Sequence, residues 1–245
     1  MVAVTLLTII GTAALMVFNG SQQMSTLVLA RIDLQNNLRQ FSQRFSMELQ
    51  ESGTDENGNL QVTISNNSGV NNSDVIRFAI PICPCGLLPI DSNGEVNSWG
   101  APTVWGQAGC GSNYTVQNNG KVAVCHLPPG NPNNTQNLSV NENAVKAHLA
   151  HGDWLGACNA CSPSAYSNRQ IQYALDADGI VWRRVLNSAG TVQSEVMAAQ
   201  EVDDFQVSFD ATQEKVLVQM DLSKIGTQQR VINVSGSWNV LLRNK

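Results

Sequence analysis

Charged side chains are scarce in this chain of 245 residues. Asp, Glu, Lys and Arg make up 13% of it, and the formal net charge is -5. An average soluble domain has about 25% of these residues. A nucleic-acid-binding face needs clustered Lys and Arg to displace counterions. The composition therefore excludes nucleic acid as a partner, disfavours a strongly charged substrate, and predicts a surface that is polar but mostly uncharged.

The N-terminal part of the chain has no ionisable side chain before Arg31 and no proline before Pro81. Its first 18 residues form an apolar run, close to the shortest that spans a bilayer. A cleaved secretory signal would begin with basic residues and end before a turn, and neither feature is present. Beyond this run, apolar residues recur at spacings of four, three, four and four, which predicts one apolar stripe on a helix. The stripe consists of Leu34, Leu38, Phe41, Phe45 and Leu49, and its polar back of Arg39, Gln43, Arg44 and Glu48.

The two segments together predict a single helix over residues 1–52, ending where Gly, Asp and Asn accumulate. Such a helix is roughly 78 Å long at about 1.5 Å per residue. Residues 1–30 then need lipid or other helices around them, whereas the second half packs on a head domain. A plain membrane anchor with a short stalk is the alternative. The side chains predicted to carry assembly are Val4, Leu7, Ile10, Leu15 and Phe18.

The helix, with an apolar front half followed by segments 30–39 and 45–53, resembles the N-terminal helix of type IV pilins and large-headed type II secretion pseudopilins. The resemblance implies a non-enzymatic structural subunit whose residues 1–30 sit in the inner membrane and then in a filament core. It implies identical subunits or other pilins as partners, and an extracellular filament or cell-surface location. The family's basic leader, its Gly before the cleavage site and its early Glu are absent. The front of the chain matches best if several residues are missing ahead of Met1.

Alternating apolar and polar residues predict an antiparallel sheet after the helix. An Asp-Gly turn at 176–179 predicts a hairpin. The expected fold is therefore α+β, with the long helix packed on a sheet head of residues 53–80 and 166–245, interrupted by a disulfide-rich insert of residues 81–165. The predicted strands are 60–64, 74–80, 169–175, 180–185, 205–209, 215–222 and 237–243.

The order of motifs along the head is a tyrosine strand, then Gly-Ile-Val-Trp-Arg-Arg at 179–184, then segment 196–202, then a last strand ending in Leu-Leu-Arg. This order is similar to the C-terminal sheet of pseudopilin J and pilus-assembly W type subunits. The aromatic residues of these strands are expected to form sheet core. They are Tyr173, Phe205, Phe209 and Trp238.

Cysteine is absent outside residues 83–161. An even number of cysteines in a loop-rich segment is typical of a disulfide framework in an oxidising compartment, and a zinc site in a reducing compartment is the alternative. The Cys158–Cys161 spacing favours a structural bridge over redox chemistry, because no βαβ pattern surrounds it. The six are Cys83, Cys85, Cys110, Cys125, Cys158 and Cys161.

All three histidines lie in the same insert, in a Cys-His…His-Leu-x-His-Gly-Asp…Cys pattern that resembles a module recurring in bacterial exported proteins. Residues 139–151 predict a short helix with His148 and His151 on one face. His126 would join them if Cys125 and Cys158 were bonded, giving a site for Zn²⁺ or Cu²⁺, or for Ca²⁺. Asp153 would be a fourth ligand or an acceptor that orients an imidazole. Histidines that only hydrogen-bond within a small disulfide-linked unit are the alternative. Catalysis is disfavoured because Glu142 is the sole nearby base.

Overall fold

A computed structural model gives the fold of most of the chain. It is a mixed α+β structure with one long N-terminal helix and antiparallel sheets, which confirms the predicted fold class at that level. The structure describes residues 2–82, 95–96, 98–103, 105, 117, 119–126, 128, 134–150, 153–156, 158, 168–226 and 229–243.

Helix α1 runs from Val2 to Leu49, 48 residues or about 72 Å. It ends in hydrogen-bonded turns, in which the Gln50 and Ser52 amides donate to the carbonyls of Ser46 and Leu49. Its predicted apolar stripe faces the sheets: the side chains of Leu34, Phe41, Phe45 and Leu49 are fully buried, and Leu38 is partly buried against the same core. The continuous helix was therefore predicted correctly to within a few residues.

The larger sheet combines strands from both sides of the insert. Strand β2 (Val75–Phe78), before the insert, pairs directly with β8 (Gln170–Leu175), after it, and Val75 lies opposite Ala174. The hairpin of β8 and β9 (Val181–Leu186) closes on the predicted Asp-Gly turn, where Gly179 adopts φ +74°. In spatial order the strands are β1 (Val62–Ser65), β2 (Val75–Phe78), β8 (Gln170–Leu175), β9 (Val181–Leu186) and β10 (Val192–Ala199).

The second sheet contains β11 (Val202–Asp210), β12 (Lys215–Ile225) and β13 (Val231–Leu241) in that order. Strand β13 starts well before the predicted residue 237, because its pairing with β12 continues back to Val231. Ile232 and Val234 keep the alternation of Trp238 and Val240, but Gly236 stands where the next apolar side chain would be. Gly236 lies in its middle, where an added Cβ would come within 2.6 Å of Leu38 Cδ2. The missing side chain therefore lets α1 approach this strand closely.

The core lies between α1 and the two sheets, and it is rich in aromatic rings. Phe41 and Phe45 on the helix stack at 5.3 Å and meet Tyr173 and Phe205 edge-on. Tyr173 and Phe205 are fully buried, and Phe209 and Trp238 pack partly buried against the same core. The expected role of these four aromatic residues is therefore confirmed.

The described part of the insert forms two small sheets and one helix. Strand β5 (Lys121–His126) and helix α2 (Glu142–Ala150) enclose a second, minor core of Val122, Val124 and Val145. The predicted helix start at residue 139 was wrong, because Ser139 lies in strand β6 (Gln136–Asn141), where it pairs with Ala123 of β5, and the helix begins at Glu142. The elements are β3 (Ile80–Pro81), β4 (Trp99–Gly100), β5 (Lys121–His126), β6 (Gln136–Asn141), α2 (Glu142–Ala150) and β7 (Trp154–Leu155).

Candidate functional site

From Ile10 to Ile32, α1 leaves most of its large apolar side chains exposed. Nine large apolar side chains between Ile10 and Ile32 are 45–74% exposed, whereas Leu34 and the rest of the buried stripe are at 0%. Of the predicted assembly residues, Ile10, Leu15 and Phe18 belong to this exposed set. Val4 and Leu7 lie on the helix backbone, and their side chains fall outside the described part. Residues 10–32 are called the exposed helix segment below.

The exposed helix segment carries a shallow apolar groove on one face. Small residues at the centre of this face leave space for an approaching neighbour, and larger ones flank it. The lining residues are Ile10, Ala13, Ala14, Val17, Phe18 and Ser21. Within the described residues, no helix combines the length and hydropathy needed to span a membrane.

A buried ion pair holds the other end of α1 to the larger sheet. The Arg183 Nη2 donates to Glu48 Oε1 at 2.6 Å, and Arg183 Nε lies 3.0 Å from both oxygens of the same carboxylate. Both side chains are 1% exposed. The Tyr173 hydroxyl donates to Glu48 Oε2 at 2.7 Å, and Arg183 also donates to the carbonyls of Pro102 and Thr103. Burial, reinforced by the Glu48 charge, raises the pKa of Tyr173 well above its ordinary value.

The prediction that Glu48 lies on the polar back of the helix was wrong. Its position seven residues after Phe41 and three after Phe45 places it on the buried face, where Arg183 neutralises it. Arg183 sits between Val181 and Val185, both buried, on the inward-facing side of β9. An arginine at an inward position of a strand and a glutamate on an apolar helix stripe were the available signals. From the sequence, Glu48 was assigned to the polar back of the helix, and Arg183 was given no role of its own.

Two histidines and an aspartate meet in the insert. Asp153 Oδ2 lies 2.7 Å from His126 Nδ1 and 2.6 Å from His148 Nδ1. The carboxylate is fully buried, while the two imidazoles are about a quarter exposed, at 27% and 23%. Their rings are perpendicular, with centroids 5.7 Å apart. The structure therefore brings together three of the four predicted metal ligands, and His151 lies outside the described residues.

Three separate elements position this cluster. His126 is the last residue of β5, His148 lies in the last turn of α2, and Asp153 immediately precedes β7. The Asp153 amide donates to the His148 carbonyl at 3.1 Å, and Cys125 pairs with Trp154 in the β5–β7 ladder.

A disulfide joins Cys125, the neighbour of His126, to Cys158. The other predicted disulfide residues lie outside the described part of the chain. They are Cys83, Cys85, Cys110 and Cys161.

Comparison of the chain with protein-family models, with curated proteins and with solved structures finds no match.

The histidine–aspartate cluster has the donor chemistry of a transition-metal site. One donor atom from each of the three residues can be chosen so that all lie within 4.8 Å of one another. Imidazole nitrogen and carboxylate oxygen are common ligands of Zn²⁺. A buried carboxylate needs compensation from a cation or from hydrogen bonds. Two imidazole N–H donors or one metal ion can supply it at this position.

Proposed function

We propose that this protein is the structural subunit of an extracellular, type IV pilus-like filament. It polymerises through the first half of α1 and displays the sheet head and the insert outward. The observation that carries this proposal is the exposed helix segment, a stretch of large apolar side chains outside the core of its own molecule. Monomeric soluble proteins rarely expose apolar patches of this extent, and larger ones mark interaction sites.

The energy available from covering this segment is large. Fully burying one large apolar side chain contributes about 1.5–3 kcal/mol. The nine side chains are roughly half exposed, so covering them contributes on the order of 10 kcal/mol per molecule. A single isolated helix cannot gain this energy, but a bundle of parallel copies can.

A second copy of the same helix is the occupant that best fits the segment. The segment has no charged side chain before Arg31, so a charged partner surface would have no counterpart on it. The small residues Ala13 and Ala14 lie in the groove, and small residues are typical of places where two apolar helices approach closely. The buried Glu48–Arg183 pair fixes the direction of the helix relative to the head, which a regular helical repeat requires.

Two alternatives share part of this evidence. A minor pseudopilin of a type II secretion system would use the same helix in a short fibre with few copies. A membrane-tethered metal-binding protein is favoured by the histidine–aspartate cluster and would use the helix as an anchor. The membrane stage before assembly, which the resemblance to pilins implies, and the absence of enzymatic activity stay predictions.

A charge placed in the groove tests the proposal in cells that produce the chain natively. Ala14→Glu would bury a carboxylate among neighbouring apolar helices, and we expect fibres sheared from the cell surface to disappear. Gln43→Glu is the matched control, because residue 43 lies on the same helix with its side chain exposed beside the head. Immunoblots of whole cells show whether both variants accumulate to wild-type levels.

The outcomes separate the candidates. Abundant long fibres in the wild type and the Gln43→Glu variant, with none in Ala14→Glu, support the filament subunit. Rare short fibres favour the pseudopilin. Fibres that persist unchanged in Ala14→Glu cells contradict assembly through this face.

A further inference from the structure

We propose that one Zn²⁺ ion binds where His126 Nδ1, His148 Nδ1 and Asp153 Oδ2 converge. This site is independent of filament assembly and could operate in a monomer. Two nitrogen donors and one oxygen donor suit Zn²⁺, which binds imidazole nitrogen and carboxylate oxygen in four-coordinate, tetrahedral sites. Ca²⁺ is excluded at these three donors, because it takes six to eight oxygen ligands.

Two of the three distances between donor atoms are close to the spacing that tetrahedral zinc imposes. Ligands about 2.0–2.1 Å from a tetrahedral zinc ion are about 3.3 Å from one another. The two nitrogen–oxygen distances are 2.7 and 2.6 Å, so they must open by about 0.6–0.7 Å to admit the ion at tetrahedral spacing. Rotations of the two imidazoles, each about a quarter exposed, can provide this movement.

The backbone that carries the donors is fixed before any metal arrives. The Cys125–Cys158 disulfide and the β5–β7 pairing hold the segments of His126 and Asp153 together. Val145 is 3% exposed and anchors α2 on β5, one turn before His148. A site built in this way loses little conformational entropy on binding, because its ligands are already ordered.

Both imidazoles use Nδ1 toward a single carboxylate oxygen, which distinguishes this cluster from a chance surface contact. In the metal-free protein, a neutral imidazole in its Nδ1–H tautomer donates to the Asp153 carboxylate. Zinc at Nδ1 selects the Nε2–H tautomer of each ring, so the ring proton moves from Nδ1 to Nε2 through solvent, and the ion's charge lies beside the fully buried carboxylate. The three donors leave a fourth position for water or for a donor outside the described residues.

Zinc titration of the full chain tests this proposal. The oxidised, chelator-treated protein in a mild non-ionic detergent is titrated with ZnCl₂ in competition with a zinc indicator dye. We expect one ion per chain, and binding at least about tenfold weaker in His126→Gln and His148→Gln, since each removes one ligand. Lys146→Gln is the matched control, because this exposed side chain lies on the same helix as His148, and we expect it to bind like the wild type.

X-ray absorption of the wild-type zinc complex gives a second readout that does not depend on a variant folding. The proposal predicts a first shell of nitrogen and oxygen at about 2.0 Å, with outer-shell scattering from imidazole. Circular dichroism and a free-thiol count show whether each variant keeps the native fold and its disulfides. Sulfur in the first shell overturns the proposal, as does the absence of saturable binding or an unchanged affinity in a folded His148→Gln variant.

Discussion

Replacing Glu48 with leucine is expected to destabilise the head strongly. The substitution removes the counter-charge of Arg183 and the acceptor of the Tyr173 hydroxyl, both in the core. Breaking a buried pair by deleting one partner costs about 3–5 kcal/mol. Arg183 keeps the carbonyl of Pro102 at 2.8 Å and the more distant carbonyl of Thr103 at 3.4 Å. We therefore expect a loss near the lower end, about 3 kcal/mol in the free energy of unfolding.

Urea unfolding followed by circular dichroism measures this loss. A chain truncated to residues 24–245 suits the assay, because it lacks most of the exposed helix segment but keeps the part of α1 that packs on the sheets. The double variant Glu48→Leu with Arg183→Met removes both charges, and we expect it to recover at least about half of the loss. Glu195→Leu is the control, since its pair with Arg184 is partly exposed and contributes at most about 1 kcal/mol.

A Glu48→Leu variant that is no less stable than Glu195→Leu would refute the role assigned to the buried pair. Glu48 and Arg183 are not coupled if the double variant loses as much free energy of unfolding as Glu48→Leu and Arg183→Met lose together when each is measured alone.

Three further results are expected. Gly236→Ala places a Cβ within 2.6 Å of Leu38 Cδ2. Urea unfolding should show that it lowers the free energy of unfolding by about 1–3 kcal/mol. A neutral effect would contradict the close approach of α1 to β13. Hydrogen bonds from the Asn59 side chain and backbone lower the pKa of Asp55 from 3.8, so its stabilising effect is complete above pH 3.8 and falls as pH drops through the folded-state value. In Asp55→Asn, the free energy of unfolding should therefore fall less steeply with acidification than in the wild type. The same pH dependence in both proteins would contradict the assignment. Burial raises the pKa of Tyr173 well above 10.0, so its stabilising contribution is present below pH 10.0 and lost as pH rises further. Ultraviolet titration should show it protonated until the head unfolds, and ionisation at an ordinary pKa in the folded protein would contradict its burial.

The long helix and the core stripe could be predicted from sequence because their signals are local and repetitive. Leu34, Phe41, Phe45 and Leu49 follow the helical period, and their partners need not be known to place them inside. The early start of β13 could not be predicted in this way. Gly236 interrupts the alternation of apolar residues in the sequence. The structure explains why a glycine is placed there, since β13 pairs with β12 through this residue and Leu38 of α1 packs against it.

The candidate metal site was predicted in part for a similar reason. His148 and Asp153 are near each other in the sequence, so their proximity could be predicted. His126 lies beside them only because β5 pairs with β7 and because a disulfide bonds the adjacent Cys125 to Cys158. The arrangement of two nitrogens on one carboxylate oxygen is a property of the folded insert. The Glu48–Arg183 pair was missed because its two charges lie 135 residues apart.

The proposed contact between copies of α1 is tested most directly by site-specific photo-crosslinking. A photoreactive amino acid replaces Val17 in the exposed helix segment, and a second variant carries it at the exposed head residue Ser188 as a control. Intact cells are irradiated, and the products are separated and mapped by mass spectrometry. Assembly through α1 predicts a ladder of multimers from the Val17 variant, linked to the helix of a neighbouring copy, and no such ladder from the control. Products linked solely to lipid, to other proteins or to the head of the same molecule would contradict it.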